Sequence, residues 1–340
     1  MSNLETVQAG LAAFLSKEWG RPVEIHDLRA SSAGARRRNL LFDAQCEGET
    51  TRLVATIVPP ESMPVLKVVD EAKVIRRAER GGVLAPHVHG VCTDEQFVGS
   101  PFFLTAQISG ETVPRRVLRL TESNPGFGIQ LAKQCGEALA RLHALRTTGV
   151  PGNLARPDRV APADPALRTM ESLVQGLSQP SPAFVLGLRW LEGHRPSPPR
   201  HNVLLHGDFR NGNLVVDKKG LRGVLDWEVS HVGDPMEDLS WMCVRMWRFG
   251  NDEQQVGGFS GLKPLRAAYE DFGGEWHAQR FHWWKVLSTL KWGLVLAVQA
   301  AAYLRGATGS IAMAASGRRV AELEYDTLML IRDPAGSRDA

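Results

Sequence analysis

The sequence lacks the features that mark several common functional classes. Its 40 Lys and Arg residues nearly balance 37 Asp and Glu residues, so the formal net charge is only +3. That charge is too small to indicate a nucleic-acid partner or an anionic membrane. The four cysteines form no C-x-x-C pair, so the sequence suggests neither a zinc knuckle nor a disulfide framework. We therefore expect reduced, mostly buried thiols in a cytoplasmic protein.

Long apolar runs are also missing. The N-terminus has no basic leading region followed by a long apolar stretch, so we expect no signal peptide. The longest uncharged apolar stretch near the C-terminus, residues 292–304, is shorter than the ~20 residues that a helix needs to span a bilayer. We predict a buried core helix there and no membrane partner.

Several signatures of nucleotide-binding and hydrolytic sites are absent. The chain contains no G-x-x-x-x-G-K-[ST] P-loop, no G-x-G-x-x-G fingerprint, no H-E-x-x-H metal motif and no G-x-S-x-G nucleophile elbow. The length of 340 residues nevertheless allows two lobes around substantial cores. Any catalytic site must therefore be sought in other motifs.

The first third of the chain has the pattern of a β-rich lobe with one helix. The tripeptide Glu47-Gly48-Glu49 separates two short β-rich runs and predicts a hairpin. Residues 70–80 have a helical pattern that ends at two glycines. The segments that we predict as strands are 40–44, 51–58, 88–92 and 102–107.

Beyond residue 110 the pattern becomes mostly helical. Apolar residues recur every three or four positions across 131–142, which predicts a helix with one buried face. Residues 214–216 and 223–225 flank a glycine-containing turn and predict a second hairpin. From Asp234 onwards the chain is predicted to be mainly helical, with Asp234 as an N-cap and Pro235 in the first turn.

The segment H-G-D-F-R-N-G-N at 206–213 carries the clearest chemical signal. Asp208 and Asn213 share this loop, and Asp226 follows the predicted second hairpin. Folding that hairpin would return Asp226 to the loop, so that two carboxylates and one amide converge. Such oxygen ligands suit Mg²⁺ that also binds substrate phosphates. Asn213 and Asp226 could hold the metal, Asp208 would face an acceptor hydroxyl, and Arg210 would place positive charge near the transferred phosphoryl group.

These residues resemble the phosphotransferase enzyme family that includes aminoglycoside phosphotransferases and choline-kinase-like enzymes. The family's loop H-G-D-x-x-x-x-N is matched by His206, Asp208 and Asn213, and its later aspartate by Asp226. A G-D-P-x-x-D-L block at 233–239 is also similar. The sequences H-G-D-F-R-x-G-N and L-D-W-E are especially similar to the kinase-like domain fused to some acyl-CoA dehydrogenases.

The resemblance implies a protein-kinase-like, bilobal α+β fold. The β-rich nucleotide-binding lobe, with one main helix, would comprise residues 1–108. The larger and mostly helical catalytic and substrate-binding lobe would comprise 109–340. The implied activity is ATP- and Mg²⁺-dependent transfer of the γ-phosphoryl group to a hydroxyl of a small molecule. By resemblance, Asp208 orients and deprotonates the acceptor, and Asn213 and Asp226 bind Mg²⁺.

The resemblance also assigns nucleotide contacts to the first lobe. Small residues in a turn would let backbone N–H groups approach the phosphates, and a helix glutamate would pair with a strand cation. The residues assigned to the nucleotide are Ser31, Ser32 and Gly34 in the turn, Glu71 on the helix, and Ala106 and Ile108 at the end of a later strand.

The expected strand cation is missing, because the family's L-V-L-[KR]-x-P-P pattern places Thr56 at that position. Three explanations remain open. The strand register could be displaced by one residue. The three arginines at 36–38, or Lys67 or Lys73, could supply the charge, although the arginines are equally consistent with a solvated strand edge. Finally, the nucleotide site could be weakened, as in a pseudokinase that senses nucleotides or acts as a scaffold. We favour compensation by another cation.

Two further points stay open in the sequence. Glu228, close to Asp226, could contact metal or substrate, or could support the loop. The five carboxylates and absence of Lys or Arg across 226–241 would suit a polycationic aminoglycoside, whereas the mixed charges beyond 242 and the C-terminal tryptophans favour an amphipathic or hydroxyacyl acceptor. A weaker alternative is a non-catalytic module that binds an acyl or antibiotic ligand.

Overall fold

The computed structural model describes residues 2–31, 37–59, 65–151, 154 and 161–332. Contacts within it divide the chain into two compact units. The first comprises Met1–Glu111, Thr148–Leu154 and Leu214–Ser230; the second comprises Thr112–Thr147, Ala155–Asn213 and His231–Ala340. The division into functional lobes at 108/109 stays a prediction, and the contacts group 214–230 with the first unit.

The described residues form the following strands and helices. The strands are β1 (Glu24–Ala30), β2 (Arg38–Cys46), β3 (Glu49–Ile57), β4 (Val88–Cys92), β5 (Phe102–Ala106), β6 (Val203–Leu205), β7 (Leu214–Asp217), β8 (Gly220–Val224) and β9 (His231–Gly233). The helices are α1 (Ser2–Trp19), α2 (Val68–Arg80), α3 (Pro114–Glu122), α4 (Phe127–His143), α5 (Ala163–Gln175), α6 (Pro182–Gly193), α7 (Pro235–Trp241), α8 (Leu262–Asp271), α9 (Ala278–Leu304), α10 (Ile311–Ser316) and α11 (Val320–Arg332).

An antiparallel sheet of five strands, in the order β1-β2-β3-β5-β4, forms the framework of the first unit. The predicted β2–β3 hairpin is confirmed, and its turn residues Glu47 and Gly48 both have positive φ. Helix α1 buries Leu11 and Phe14 against the sheet, where Phe14 meets Phe102 edge to face at 5.0 Å between ring centroids. Each such buried phenyl ring stabilises the unit by about 1.5–3 kcal/mol.

The second hairpin, β7–β8, lies in the first unit and is also confirmed. The backbone of Val216 exchanges two hydrogen bonds with Glu111, and Val224 N–H donates to the carbonyl of Leu84. These bonds tie the hairpin to the chain that leaves the five-stranded sheet. They therefore fix the starting point of the segment 225–228, which carries Asp226.

Helices dominate the second unit, as the sequence predicted. Helix α9 packs against α6, α7, α10 and α11, while α4 packs against α8. By length and composition α9 could cross a membrane, but a core helix passes the same test, and Trp283, Trp284 and Leu290 are buried within the unit. The helix predicted at 292–304 is confirmed, but its burial is partial, because Leu294 and Leu296 are buried whereas Leu304 is 82% exposed at the helix end.

Candidate active site

The loop 206–213 links β6 to β7 and is anchored in the core of the second unit. The side chains of His206 and Phe209 are buried and meet edge to face at 5.8 Å between ring centroids. Asn211 is fully buried, and its Nδ2 donates to the carbonyl of Gly257 at 2.8 Å. The buried side chains of Phe209 and Asn211 therefore anchor the loop, while the side chain of Asp208 remains 19% exposed.

Three side-chain donors converge on the Asp208 carboxylate. Oδ1 accepts hydrogen bonds from Arg210 Nε at 2.8 Å and from Trp241 Nε1 at 2.7 Å, while Oδ2 accepts one from Asn213 Nδ2 at 2.7 Å. A carboxylate offers about four acceptor positions in total. Oδ2 consequently retains a position for one more donor.

Asn213 is oriented by the same loop. Its Nδ2 donates to the carbonyl of Asp208 at 2.9 Å as well as to the carboxylate, so both amide hydrogens are used. The amide oxygen Oδ1 is then the atom that Asn213 can present to a cation.

Gly212 has φ +119°, and a Cβ there would lie 2.6 Å from Arg210 Nη1, so a side chain at this position would disturb the guanidinium.

Asp238, on α7, supports the start of the loop. Its two carboxylate oxygens accept hydrogen bonds from the backbone N–H groups of His206 and Gly207, each at 2.8 Å. His143 Nε2 lies 3.3 Å from Asp238 Oδ2, and its Nδ1 lies 2.9 Å from the Tyr269 hydroxyl. Burial acts to raise the pKa of Asp238, but the hydrogen bond and charge of His143 hold that pKa below its ordinary value.

The sequence pointed to part of this support. Asp238 belongs to the G-D-P-x-x-D-L block at 233–239, but that motif does not reveal its contacts with His143 and the loop. The N-cap prediction for Asp234 is confirmed, because its side chain accepts from Met236 N–H at 3.0 Å. No local pattern in the sequence signals the indole of Trp241 as a donor to Asp208.

In the first unit, Glu71 on α2 is paired with Arg37. Arg37 Nη1 lies 2.6 Å from Glu71 Oε2, and Arg37 Nε lies 2.8 Å from Glu228 Oε2. Thr56 lies in β3, opposite Asn39 on β2 and Phe103 on β5, so no cation occupies that strand position. Glu228 thus contacts a cation that also binds Glu71.

Burial dominates the electrostatics of Glu71. The side chain is 2% exposed, and desolvation raises the pKa of its carboxyl to about 7 despite the opposing effects of the Arg37 charge and hydrogen bond. The negative charges of Asp226 and Glu228 act in the same direction as burial. One guanidinium therefore does not fully compensate the carboxylates in this part of the first unit.

Asp226 follows β8 in a left-handed conformation. Its φ is +66°, which is uncommon for a residue other than glycine, and its side chain is exposed. The next residue, Trp227, is buried and donates from Nε1 to the carbonyl of Val224 at 2.9 Å. The buried indole therefore anchors the turn, while the carboxylate of Asp226 remains accessible to a ligand.

The residues predicted to contact a nucleotide lie at several places in the first unit. Ser31 follows β1, and its N–H donates to the carbonyl of Asn39 at 2.8 Å. Ser32 and Gly34 lie outside the described residues. Ala106 ends β5, and Ile108 packs against the hairpin, because a Cβ on Gly223 would lie 2.5 Å from Ile108 Cδ1.

The proposed metal ligands have the chemistry that Mg²⁺ requires. Asn213 offers an amide oxygen and Asp226 an exposed carboxylate, both hard oxygen donors. Within the described ranges there is no group of three or more His, Cys, Asp and Glu side chains placed to hold an ion. Such a donor set suits a cation that keeps waters and substrate oxygens in its coordination shell.

The chain has a protein-kinase-like α+β fold. An antiparallel sheet with helix α2, which carries Glu71, is followed along the chain by the H-G-D loop and then by Asp226 after β8. The chain belongs to the phosphotransferase enzyme family, whose model matches residues 27–280. This confirms the resemblance inferred from the motifs.

One curated relative is acyl-CoA dehydrogenase family member 10 from Mus musculus, which is 29% identical over 178 residues. The match covers 51% of this chain but only 16% of that protein, so the chain spans a small part of the relative's length.

Two solved structures show the same fold. A protein from Ralstonia eutropha with an aminoglycoside phosphotransferase assignment has a TM-score of 0.67 at 17% identity, covering 95% of this chain and 98% of the other. A thermostable mutant of aminoglycoside phosphotransferase APH(4)-Ia, in ternary complex with AMP-PNP and hygromycin B, has a TM-score of 0.61 at 15% identity, covering 96% of this chain and 100% of the other. The family match supports a kinase-like enzyme, and the two solved structures show its fold.

Proposed function

We propose that the protein is an ATP- and Mg²⁺-dependent phosphotransferase that transfers a γ-phosphoryl group to a hydroxyl of a small molecule. The observation that carries this proposal is the Asp208 carboxylate, which is held by three donors and retains one acceptor position on Oδ2. The nucleotide analogue in the APH(4)-Ia complex supports the choice of ATP as phosphoryl donor.

The proposed mechanism assigns one task to each residue of the loop. Asp208 Oδ2 accepts a hydrogen bond from the acceptor hydroxyl, aligns its oxygen for in-line attack and takes its proton as the new O–P bond forms and the bond to ADP breaks. Arg210 and Trp241 fix the orientation of Asp208 through Oδ1. Asn213 Oδ1 and the Asp226 carboxylate would hold Mg²⁺, which would neutralise charge on the phosphates.

The described surroundings of Asp208 favour a neutral or anionic acceptor with an apolar part. The guanidinium of Arg210 lies 4.5 Å from the ring centroid of Trp247, and Lys291 Nζ lies 5.0 Å from that of Trp241. Both cations are paired with a carboxylate, Arg210 with Asp208 and Lys291 with Glu237, so these pairs offer a polycationic acceptor no unbalanced negative charge. We therefore propose an amphipathic hydroxyl compound, in preference to an aminoglycoside, as the acceptor class.

The proposal is tested by assaying phosphoryl transfer from MgATP to a panel of neutral, anionic and cationic hydroxyl compounds. Replacement of Asp208 by Ala should lower the rate on any accepted compound by about 10²- to 10⁴-fold, because the base and the orienting contact are both lost. MgATP should still raise the melting temperature of this variant, since ligand binding stabilises the folded state. Asp271→Ala, an exposed change at the end of α8, provides the matched control.

Full activity in Asp208→Ala, with Asp271→Ala equally active, would show that the assigned mechanism is wrong.

A second candidate function is a nucleotide-sensing pseudokinase, and Thr56 in β3 favours it because the expected strand cation is missing. That candidate predicts a melting shift with MgATP, no transfer to any compound in the panel, and no effect of the Asp208 substitution on binding.

A further inference from the structure

The pairing of Glu71 raises the question of which cation contacts the nucleotide phosphates in this chain. Glu71 is buried on α2, and its ion pair is made by Arg37, immediately before β2. Arg38 lies opposite Ile57 at the end of the β2–β3 ladder, one position beyond Thr56. Arg37 therefore immediately precedes the strand next to β3, close in the ladder to the position of Thr56.

Arg37 also has hydrogen-bonding capacity that the first unit does not use. Its side chain is 9% exposed, Nη1 is bound to Glu71 and Nε to Glu228. Nη2 is buried and has no hydrogen-bond partner among the described residues. A guanidinium presents five N–H donors in a rigid fork, and a buried donor without a partner is destabilising. The two carboxylates thus fix the plane of the guanidinium and leave one of its edges to meet an acceptor.

The alternative cations are placed less favourably. Lys73 Nζ pairs with Asp70 at 3.3 Å, and its side chain is 57% exposed. Lys67 stands at the N-cap of α2 and is exposed. Neither has a recorded ion pair with Glu71, so neither is positioned by it. Within the described part of the chain, Arg37 combines burial, a bond to Glu71 and a buried Nη2 without a hydrogen-bond partner.

We propose that Arg37 is the residue that binds the nucleotide phosphates in place of the missing strand cation, with Glu71 and Glu228 holding its guanidinium. The ligand class is a nucleoside di- or triphosphate, whose phosphate oxygens would accept from Nη2. Arg matches phosphate geometry better than a point charge does. This assignment rests on the proposed function, because it presumes that the protein binds a phosphorylated nucleotide.

The test compares the dissociation constants of MgATP, ADP and adenosine for the full chain, measured by calorimetry. Arg37→Met should weaken MgATP and ADP by about 30-fold or more but leave adenosine within about twofold, because only the phosphates lose a contact. Arg37→Lys should keep part of the affinity, since it keeps the charge but loses the fork. Arg29→Met, at an exposed position in β1, should behave as wild type.

Moving the positive charge from position 37 to position 56 gives a second, independent measurement of MgATP affinity. The double variant Arg37→Met/Thr56→Lys returns a positive charge to β3 and should recover at least part of the MgATP affinity. Lys73→Met should have no effect. If Arg37→Met is too unstable to purify, Arg37→Lys and Glu228→Gln, which frees the guanidinium from one anchor, should each weaken ATP and ADP selectively.

The outcomes separate the two proposals. If wild type binds none of the three ligands, the proposed function fails and the assignment of Arg37 fails with it. If wild type binds MgATP and Arg37→Met binds it equally well, the function stands and Arg37 has only a structural role. Equal weakening of ATP, ADP and adenosine would likewise indicate a structural role, and loss of affinity in Lys73→Met would move the assignment to that lysine.

Discussion

Asp238 in the second unit and Glu71 in the first are both buried carboxylates, but their partners differ. Asp238 accepts from two backbone N–H groups and faces His143. Glu71 has a single ion pair, with Arg37, and lies in the field of two other carboxylates. The pKa of Asp238 is accordingly lowered in spite of burial, whereas burial raises the pKa of Glu71 to about 7.

The difference teaches which region is complete without a ligand. Backbone N–H groups and a histidine satisfy Asp238 within the protein, so the loop that it holds is already shaped. Around Glu71 there is more negative charge than one guanidinium balances, and Arg37 keeps a buried donor in reserve. The loop held by Asp238 is thus satisfied within the protein, whereas the described surroundings of Arg37 leave one buried donor without an acceptor.

The largest effect on stability should come from Asp238→Ala. This change leaves the N–H groups of His206 and Gly207 and the ring of His143 without their acceptor in a buried site. We expect a loss of about 3–5 kcal/mol in the free energy of unfolding, measured by urea denaturation. Asp271→Ala should change it by no more than about 0.5 kcal/mol. A loss under about 1 kcal/mol in Asp238→Ala would mean that the loop holds its shape without this carboxylate.

The pH dependence of stability should differ in sign between the two carboxylates. The pKa of Glu71 is raised, so its favourable contribution is present below the ordinary value and is lost as pH rises through about 7. The ligand-free Glu71→Gln variant, which cannot ionise, should therefore gain stability over wild type between about pH 5 and pH 8, by up to about 3 kcal/mol.

Asp238 supplies the contrast to this result. Its lowered pKa means that its contribution is present above the ordinary value and is lost as acid protonates it at still lower pH. Wild type and Asp238→Asn should thus differ by a constant amount between about pH 5 and pH 8. A constant difference for Glu71→Gln over the same range would contradict the raised pKa of Glu71.

Local patterns in the sequence predicted the hairpins, α2 and α4 because turn residues and apolar spacing act over a few positions. Strand β1 was not located, since only Ile25 is deeply buried in it and Asp27 interrupts its pairing with φ +52°. The stretch 292–304 is apolar, yet burial depends on which helices cover it, and the end at Leu304 is uncovered.

In the candidate site, too, some residues follow from a local motif and others only from the folded structure. The loop motif identified Asp208 and Asn213 because a family keeps their spacing, and their roles stay predictions. The partners Arg37 for Glu71 and Trp241 for Asp208 lie 34 and 33 residues away in the chain. No periodicity links such positions, so only the folded structure could pair them. The sequence did include Arg37 among the possible cations, but it could not choose between the arginines and lysines.

The smallest effect that we expect is also the most specific for the orientation of Asp208. Trp241→Phe removes the Nε1 donor to Oδ1 but keeps an aromatic ring beside Trp247 and Trp292. Arg210 and Asn213 still hold the carboxylate. We expect kcat to fall about fivefold, equal to roughly 1 kcal/mol, with little change in the KM for MgATP.

The matched control for this prediction is Trp283→Phe, which removes an indole hydrogen bond of 3.0 Å to the carbonyl of Leu191 elsewhere in the second unit. That variant should lose about 1 kcal/mol of stability without a change in kcat. Equal kcat values in wild type and Trp241→Phe would show that two donors orient Asp208 as well as three do. A fall in kcat in both variants would trace the loss to general loosening of the helical unit, because the two indoles share no partner at Asp208.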